Sequence, residues 1–119
     1  MVGIEYPKRN SEAEIQAVLW SKLRNNNIDA RLQVTSFNPK TNKKSWKLDL
    51  VVFVNQMAVC IVECKAWSKS YSKTTIYRHD NTGQLQKYRR VYGIPVLVCG
   101  TKEHINSILS QIENIVKAP

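Results

Sequence analysis

Two consecutive apolar runs constrain this chain more than anything else in it. Trp46 to Val54 (WKLDLVVFV) and Met57 to Cys64 (MAVCIVEC) are dense in Val, Ile and Phe, and only Asn55 and Gln56 separate them. Runs of that length and composition are strands, and so short a connection makes them a hairpin. Their near-continuous apolarity predicts a sheet covered on both faces. Each run is broken by one carboxylate, Asp49 in the first and Glu63 in the second. A charge inside an aliphatic strand is rare unless it is paired or bound to a metal.

Strand alternation puts Glu63 and Lys65 on one face and Cys60, Val62 and Cys64 on the other. Whether Asp49 joins Glu63 depends on register. A strict two-residue loop sets Asp49 opposite Val62 and on the wrong face, because a slip of one residue flips every side chain. An odd loop or a bulge sets Asp49 opposite Glu63. Two opposed carboxylates repel, and a divalent cation resolves the conflict; oxygen donors suit Mg²⁺ or Mn²⁺. The plainer alternative is a solvated carboxylate–lysine ion pair.

The rest of the chain supplies a scaffold. Ser11 and Glu14 have capping-box spacing. Ile15, Val18, Leu19 and Leu23 follow at helical spacing until Asn25-Asn26-Asn27. Ala30 to Phe37 alternates loosely as a strand, and Asn38 to Lys44 is a polar, basic turn. Trp67 to Asn81 has no period and is expected to be a loop. Thr82 to Tyr92 is a helix ended by Gly93, Pro95 to Cys99 a short buried strand, and Thr101 caps a last helix carrying Ile105, Ile108, Leu109, Ile112, Ile115 and Val116. The expected order is α-β-β-β-α-β-α, an α/β fold with a mixed sheet of about four strands flanked by helices. Residues 1–10 form an N-terminal arm and residues 11–119 one domain.

The chain carries 18 Lys and Arg against 9 Asp and Glu, a net charge of +9, which attracts polyanions. No apolar run is long enough to span a bilayer. Cys60, Cys64 and Cys99 are odd in number and lack histidine neighbours, so they read as reduced core residues rather than a disulfide framework or a zinc site. These features predict a cytoplasmic protein.

Asp49 with Glu63-Cys64-Lys65, on neighbouring strands after a helix, resembles the PD-(D/E)XK nuclease superfamily, which includes restriction endonucleases and Holliday-junction resolvases. The resemblance runs from about residue 11 to residue 99. Asp49 stands at the family's first acid and Glu63-x-Lys65 at its E-x-K; Leu48 replaces the proline usually found before the acid. Glu12 matches the glutamate early in the family's first helix, with helix-dipole stabilisation as its alternative role. Gln84 and Tyr88 match the Q-x-x-x-Y of exonuclease-like branches.

The resemblance implies a restriction-endonuclease-like fold and metal-dependent hydrolysis of DNA. Asp49, Glu63 and the backbone carbonyl of Cys64 would bind Mg²⁺ or Mn²⁺, with Glu12 binding directly or through water. Lys65 and Gln84 would position water or phosphate. Lys40, Lys43, Lys44, Lys69, Tyr71, Lys73, Arg78, Tyr88, Arg89 and Arg90 would contact nucleic acid. The expected activity is an endonuclease on duplex or branched DNA; the alternatives are an exonuclease or single-strand nuclease, an RNA-processing enzyme, or a DNA-binding module without catalysis. Cutting two strands calls for two sites, hence a homodimer or larger homo-oligomer.

Overall fold

The structure is a computed structural model that describes residues 3–7, 11–37, 44–65, 83–100 and 102–118. Seven elements follow in the expected order: α1 (Glu12–Asn25), β1 (Asp29–Phe37), β2 (Lys44–Val54), β3 (Met57–Cys64), α2 (Gly83–Tyr92), β4 (Val96–Cys99) and α3 (Lys102–Lys117). They make a small α/β domain around a mixed sheet of strand order β1-β2-β3-β4. The first two pairings are antiparallel, and β4 joins β3 in parallel. The expected loop at residues 67–81 and the turn at residues 38–43 lie outside the described residues.

Both ends of α1 are fixed by local chemistry. Glu14 N–H donates to Ser11 Oγ at 3.2 Å, which is the cap half of the expected box. At the other end Asn27 adopts φ +60°, Asn27 N–H donates to the Arg24 carbonyl, and Ile28 N–H donates to the Leu23 carbonyl. This is a Schellman closure with asparagine in the left-handed position, and its apolar partners Leu23 and Ile28 both enter the core. The asparagine triplet therefore ends the helix by a defined geometry.

Each face of the sheet has its own core. Ile15, Leu19 and Leu23 of α1 and Ile105, Ile108 and Ile112 of α3 pack on Leu50, Val52, Cys60, Val62, Cys64 and Cys99. On the other face Tyr88 of α2 packs on Val51, Ile61, Val96, Val98 and Leu48. Coverage on both faces is what the near-continuous apolar runs of β2 and β3 require. All three cysteines are free and buried. Trp20 Nε1–H donates to the Ala30 carbonyl at 2.9 Å and shields part of the β1 edge. Among the described residues no helix is long and apolar enough to cross a membrane.

Candidate active site

Register decides whether the two carboxylates meet. The β2–β3 connection is the tight one: Val54 pairs with Met57, and Asn55 and Gln56 take φ +51° and +66°, the paired positive angles of a primed two-residue turn. On its own that turn would set Asp49 opposite Val62. The ladder corrects itself one step later. Phe53 pairs with Ala58 but Val52 pairs with Cys60, so Val59 is an extra residue, a β-bulge. Beyond it Leu50 pairs with Val62, the last pair of the ladder; the same register continued one step brings Asp49 level with Glu63, and the two carboxylates are neighbours. Both alternatives foreseen from the sequence thus meet in one hairpin, a two-residue loop followed by a bulge.

A second irregularity turns Asp49 into the sheet's interior gap. Leu48 and Leu50 are two apart and would share a face in a regular strand, yet Leu50 packs in the α1/α3 core and Leu48 in the α2 core. The change of face coincides with Gln33, which stands across from Asp49 between the pairs Leu32↔Leu50 and Val34↔Leu48. Its φ of +53° is a conformation that a residue with a Cβ adopts only at a cost of roughly 1–3 kcal/mol. Its side-chain amide donates to Gln16 Oε1 at 2.9 Å, tying the distorted position to α1.

At this point β2 and β3 part. Cys64 N–H faces β2 and donates to Asp49 Oδ2 at 2.9 Å. The carbonyl of a strand residue points to the same side as its N–H, so the Cys64 carbonyl also opens toward Asp49. On the other side of β3, Lys65 N–H donates to the Cys99 carbonyl at 2.9 Å. The end of β3 is therefore gripped from both flanks, and Glu63 and the half-buried Lys65 lie on the α2 side of the sheet.

Glu63 is only 4% exposed, and its Oε1 has no hydrogen-bond partner among the described residues. Burial, then the neighbouring Asp49 carboxylate, push its carboxyl up to about 8, while Lys65 acts in the opposite direction. A buried acid with an orphan oxygen beside a second carboxylate is a costly arrangement in a protein interior. Two carboxylates and a main-chain carbonyl opening on one spot form a hard-oxygen donor set that fits a small divalent cation. The cysteines do not suit that task. Burial pushes the Cys60 thiol up to about 12 and raises Cys64 further still, with Cys99, Asp49, Glu63 and Glu12 adding to the effect on Cys64.

The other expected site residues divide. Glu12 lies in the first turn of α1, exposed, and close enough to Cys64 for its charge to act on that thiol. Among the described residues no group of three His, Cys, Asp or Glu side chains gathers to hold a metal, so Glu12 does not complete a triad with Asp49 and Glu63. Gln84 lies in the first turn of α2, and its side chain and that of Lys44 fall outside the described residues. Lys40, Lys43, Lys69, Tyr71, Lys73 and Arg78 lie outside them altogether.

Two assignments change. Tyr88, expected to touch nucleic acid, is 3% exposed, its ring 5.3 Å from Trp46 and 6.0 Å from Tyr92. It is a core ring with no face left for a base. Arg89 is half-buried, and its Nη2 donates to the Val96 carbonyl at 2.9 Å, bracing α2 against the start of β4. Arg90 is exposed, as a nucleic-acid contact requires.

Sequence reasoning missed Gln33 and Gln16. Neither glycine nor asparagine marks the left-handed position at residue 33, so no local signal announces it. The chain was compared with family models, curated proteins and solved structures, and none of them matches it.

Proposed function

We propose that this protein is a metal-dependent deoxyribonuclease with a restriction-endonuclease-like fold, acting on duplex or branched DNA. The observation that carries the reading is the bulge at Val59, which sets Asp49 opposite Glu63 and leaves Glu63 Oε1 buried without a partner. Nothing in the fold alone needs those two acids together. A regular hairpin would place an aliphatic residue across from Asp49 and avoid the conflict.

Asp49, Glu63 and the Cys64 carbonyl would hold Mg²⁺ or Mn²⁺. A bound divalent ion polarises a phosphoryl oxygen and makes its water ligand more acidic. The chain's own groups do the remainder. Lys65 sits two residues beyond Glu63 at the strand end, where its ammonium holds the attacking water or offsets charge growing on the phosphate. Glu12, at the start of α1, acts through a water rather than as a direct ligand. Gln84 positions water or phosphate from α2. The net charge of +9 brings the polyanionic substrate to the site.

The test is cleavage of supercoiled, linear, single-stranded and four-way-junction DNA in Mg²⁺ or EDTA. Metal-dependent nicking or cutting, abolished in Asp49→Asn and reduced at least 100-fold, about 3 kcal/mol of barrier, in Lys65→Ala, is the expected result. Full activity in EDTA, or in Asp49→Asn, refutes the reading. A circular substrate left intact while linear DNA is digested assigns an exonuclease instead.

A further inference from the structure

The β1–β2 pair continues past the point where β3 leaves it. The β2–β3 ladder reaches its last pair at Leu50↔Val62, whereas β1 and β2 go on through Val34↔Leu48 and Thr35↔Lys47 to Phe37↔Lys44. This extension is a two-stranded ribbon with unlike faces. On one face Val34 and Trp46 pack against the α2 side, and the Ser36 hydroxyl hydrogen-bonds the Tyr92 hydroxyl. On the other face Thr35 and Lys47 are exposed, and Phe37 is 59% exposed.

A second bulge adjusts this ribbon. Between Thr35↔Lys47 and Phe37↔Lys44 there is one residue in β1 and two in β2, so Lys44 rather than Ser45 comes opposite Phe37. Ser36 repairs the disturbed ladder, since its hydroxyl donates to the Trp46 carbonyl at 3.2 Å and accepts from Trp46 N–H at 3.3 Å. Between Asp29 and Asp49 the sequence holds Arg31, Lys40, Lys43, Lys44 and Lys47 and no carboxylate. Arg31 is committed to Asp29 at 2.7 Å. The lysines therefore lie in an acid-free stretch, and its ring, Phe37, joins neither core among the described residues.

We propose that the exposed face of this ribbon, formed by Thr35, Phe37 and Lys47, is a docking surface for duplex nucleic acid. The proposal rests on the nuclease reading only for the placement of the scissile phosphate. A two-stranded ribbon fits the major groove of a duplex, about 12 Å wide. Lys47 is two residues from Asp49, about 7 Å along the strand, on the ribbon face turned away from α2. Phe37 supplies an apolar contact to a sugar or a base methyl group, and Thr35 a hydroxyl to a phosphate.

The test is binding of a fluorescein-labelled 30-base-pair duplex in EDTA, followed by anisotropy across a salt series. Lys47→Ala removes one phosphate contact. The slope of log affinity against log salt should fall by ~0.9, and affinity at 0.1 M salt should fall about eight-fold. Phe37→Ser should weaken binding at every salt concentration without changing the slope. Lys117→Ala, the same loss of charge on an exposed residue at the far end of α3, should change affinity less than about two-fold.

Wild-type binding that neither ribbon substitution alters overturns the proposal, as does a wild type that binds no duplex. Ribbon substitutions that weaken binding to phosphatidylserine vesicles and leave duplex binding unchanged overturn it in favour of a membrane surface. The two readings fail separately. Lys47-dependent binding without any cleavage removes the nuclease and leaves the ribbon, and cleavage indifferent to Lys47 and Phe37 does the reverse.

Discussion

Replacing Glu63 with glutamine isolates the conflict at the centre of the molecule. The Glu63 carboxyl, ordinarily near 4.5, is held near 8 by burial and by Asp49. The folded chain therefore keeps a proton between those two values that the unfolded chain has already released. Native stability is highest at the acid end of this window and declines as the pH climbs through it. A rise from 4.5 to about 8 corresponds to at most about 5 kcal/mol. Side-chain relaxation and water entry reduce that to roughly 2–4 kcal/mol. This is a large part of the 5–15 kcal/mol that holds a domain together. Urea unfolding in EDTA should show the wild type losing about 2–4 kcal/mol more than Glu63→Gln between pH 5 and pH 8.5, because the amide has no proton to lose and can donate to Asp49. Adding Mg²⁺ at about 100 times its dissociation constant should restore ~2.7 kcal/mol to the wild type at pH 8.5, less at pH 5, where protons compete for the same oxygens, and little to the variant. Wild type and variant falling in parallel from pH 5 to 8.5 in EDTA would refute the assignment of Glu63 as a buried, orphaned acid. A magnesium effect of equal size on both would refute the metal site alone.

Other substitutions test the scaffold. Asn27→Gly should stabilise the chain by up to ~1 kcal/mol, and Asn27→Ala should destabilise it by about 1 kcal/mol, because position 27 needs a left-handed backbone; equal effects in thermal unfolding would contradict the Schellman closure. Tyr88→Ala should cost about 3–5 kcal/mol of stability, while Tyr88→Phe leaves duplex affinity unchanged; a specific loss of binding in the phenylalanine variant would return Tyr88 to the nucleic-acid surface. The three thiols should resist a water-soluble disulfide reagent at pH 8 until the chain unfolds, since burial holds Cys60 and Cys64 in the neutral form; rapid labelling of the native protein would show that this core face is open.

Periodicity carried most of the architecture. The hairpin strands, the capped first helix and the amphipathic last helix are long, regular patterns, and they appear where the alternation and the 3.6-residue spacing put them. The chemistry of the site depends on something periodicity does not encode. Val59 is an aliphatic residue among aliphatic residues, and its sequence neighbours give no sign that it is the unpaired one. Only the demand that Asp49 meet Glu63 called for an odd loop or a bulge, and that demand came from two carboxylates in aliphatic strands and the parity of the register, with nothing to mark which residue would be the extra one. Gln33 is hidden for a related reason: tertiary packing imposes its left-handed backbone against its own preference. Tyr88 shows the opposite failure. The four-residue spacing of Gln84 and Tyr88 matched a motif, but spacing alone does not say whether Tyr88 meets a core or a ligand, and it is 3% exposed.

The grip of β4 on the end of β3 gives the site a dependence on chain order. Glu63 neighbours Val98, and the Lys65 amide is held by Cys99, so a nascent chain that has completed the hairpin still lacks the strand that fixes the glutamate and the lysine. β4 in turn needs α3 over its other face, where Cys99 packs with Ile105 and Ile108. During synthesis the two acids therefore stay unorganised after the hairpin has formed, and they become fixed only when β4 has joined the sheet and α3 has covered it.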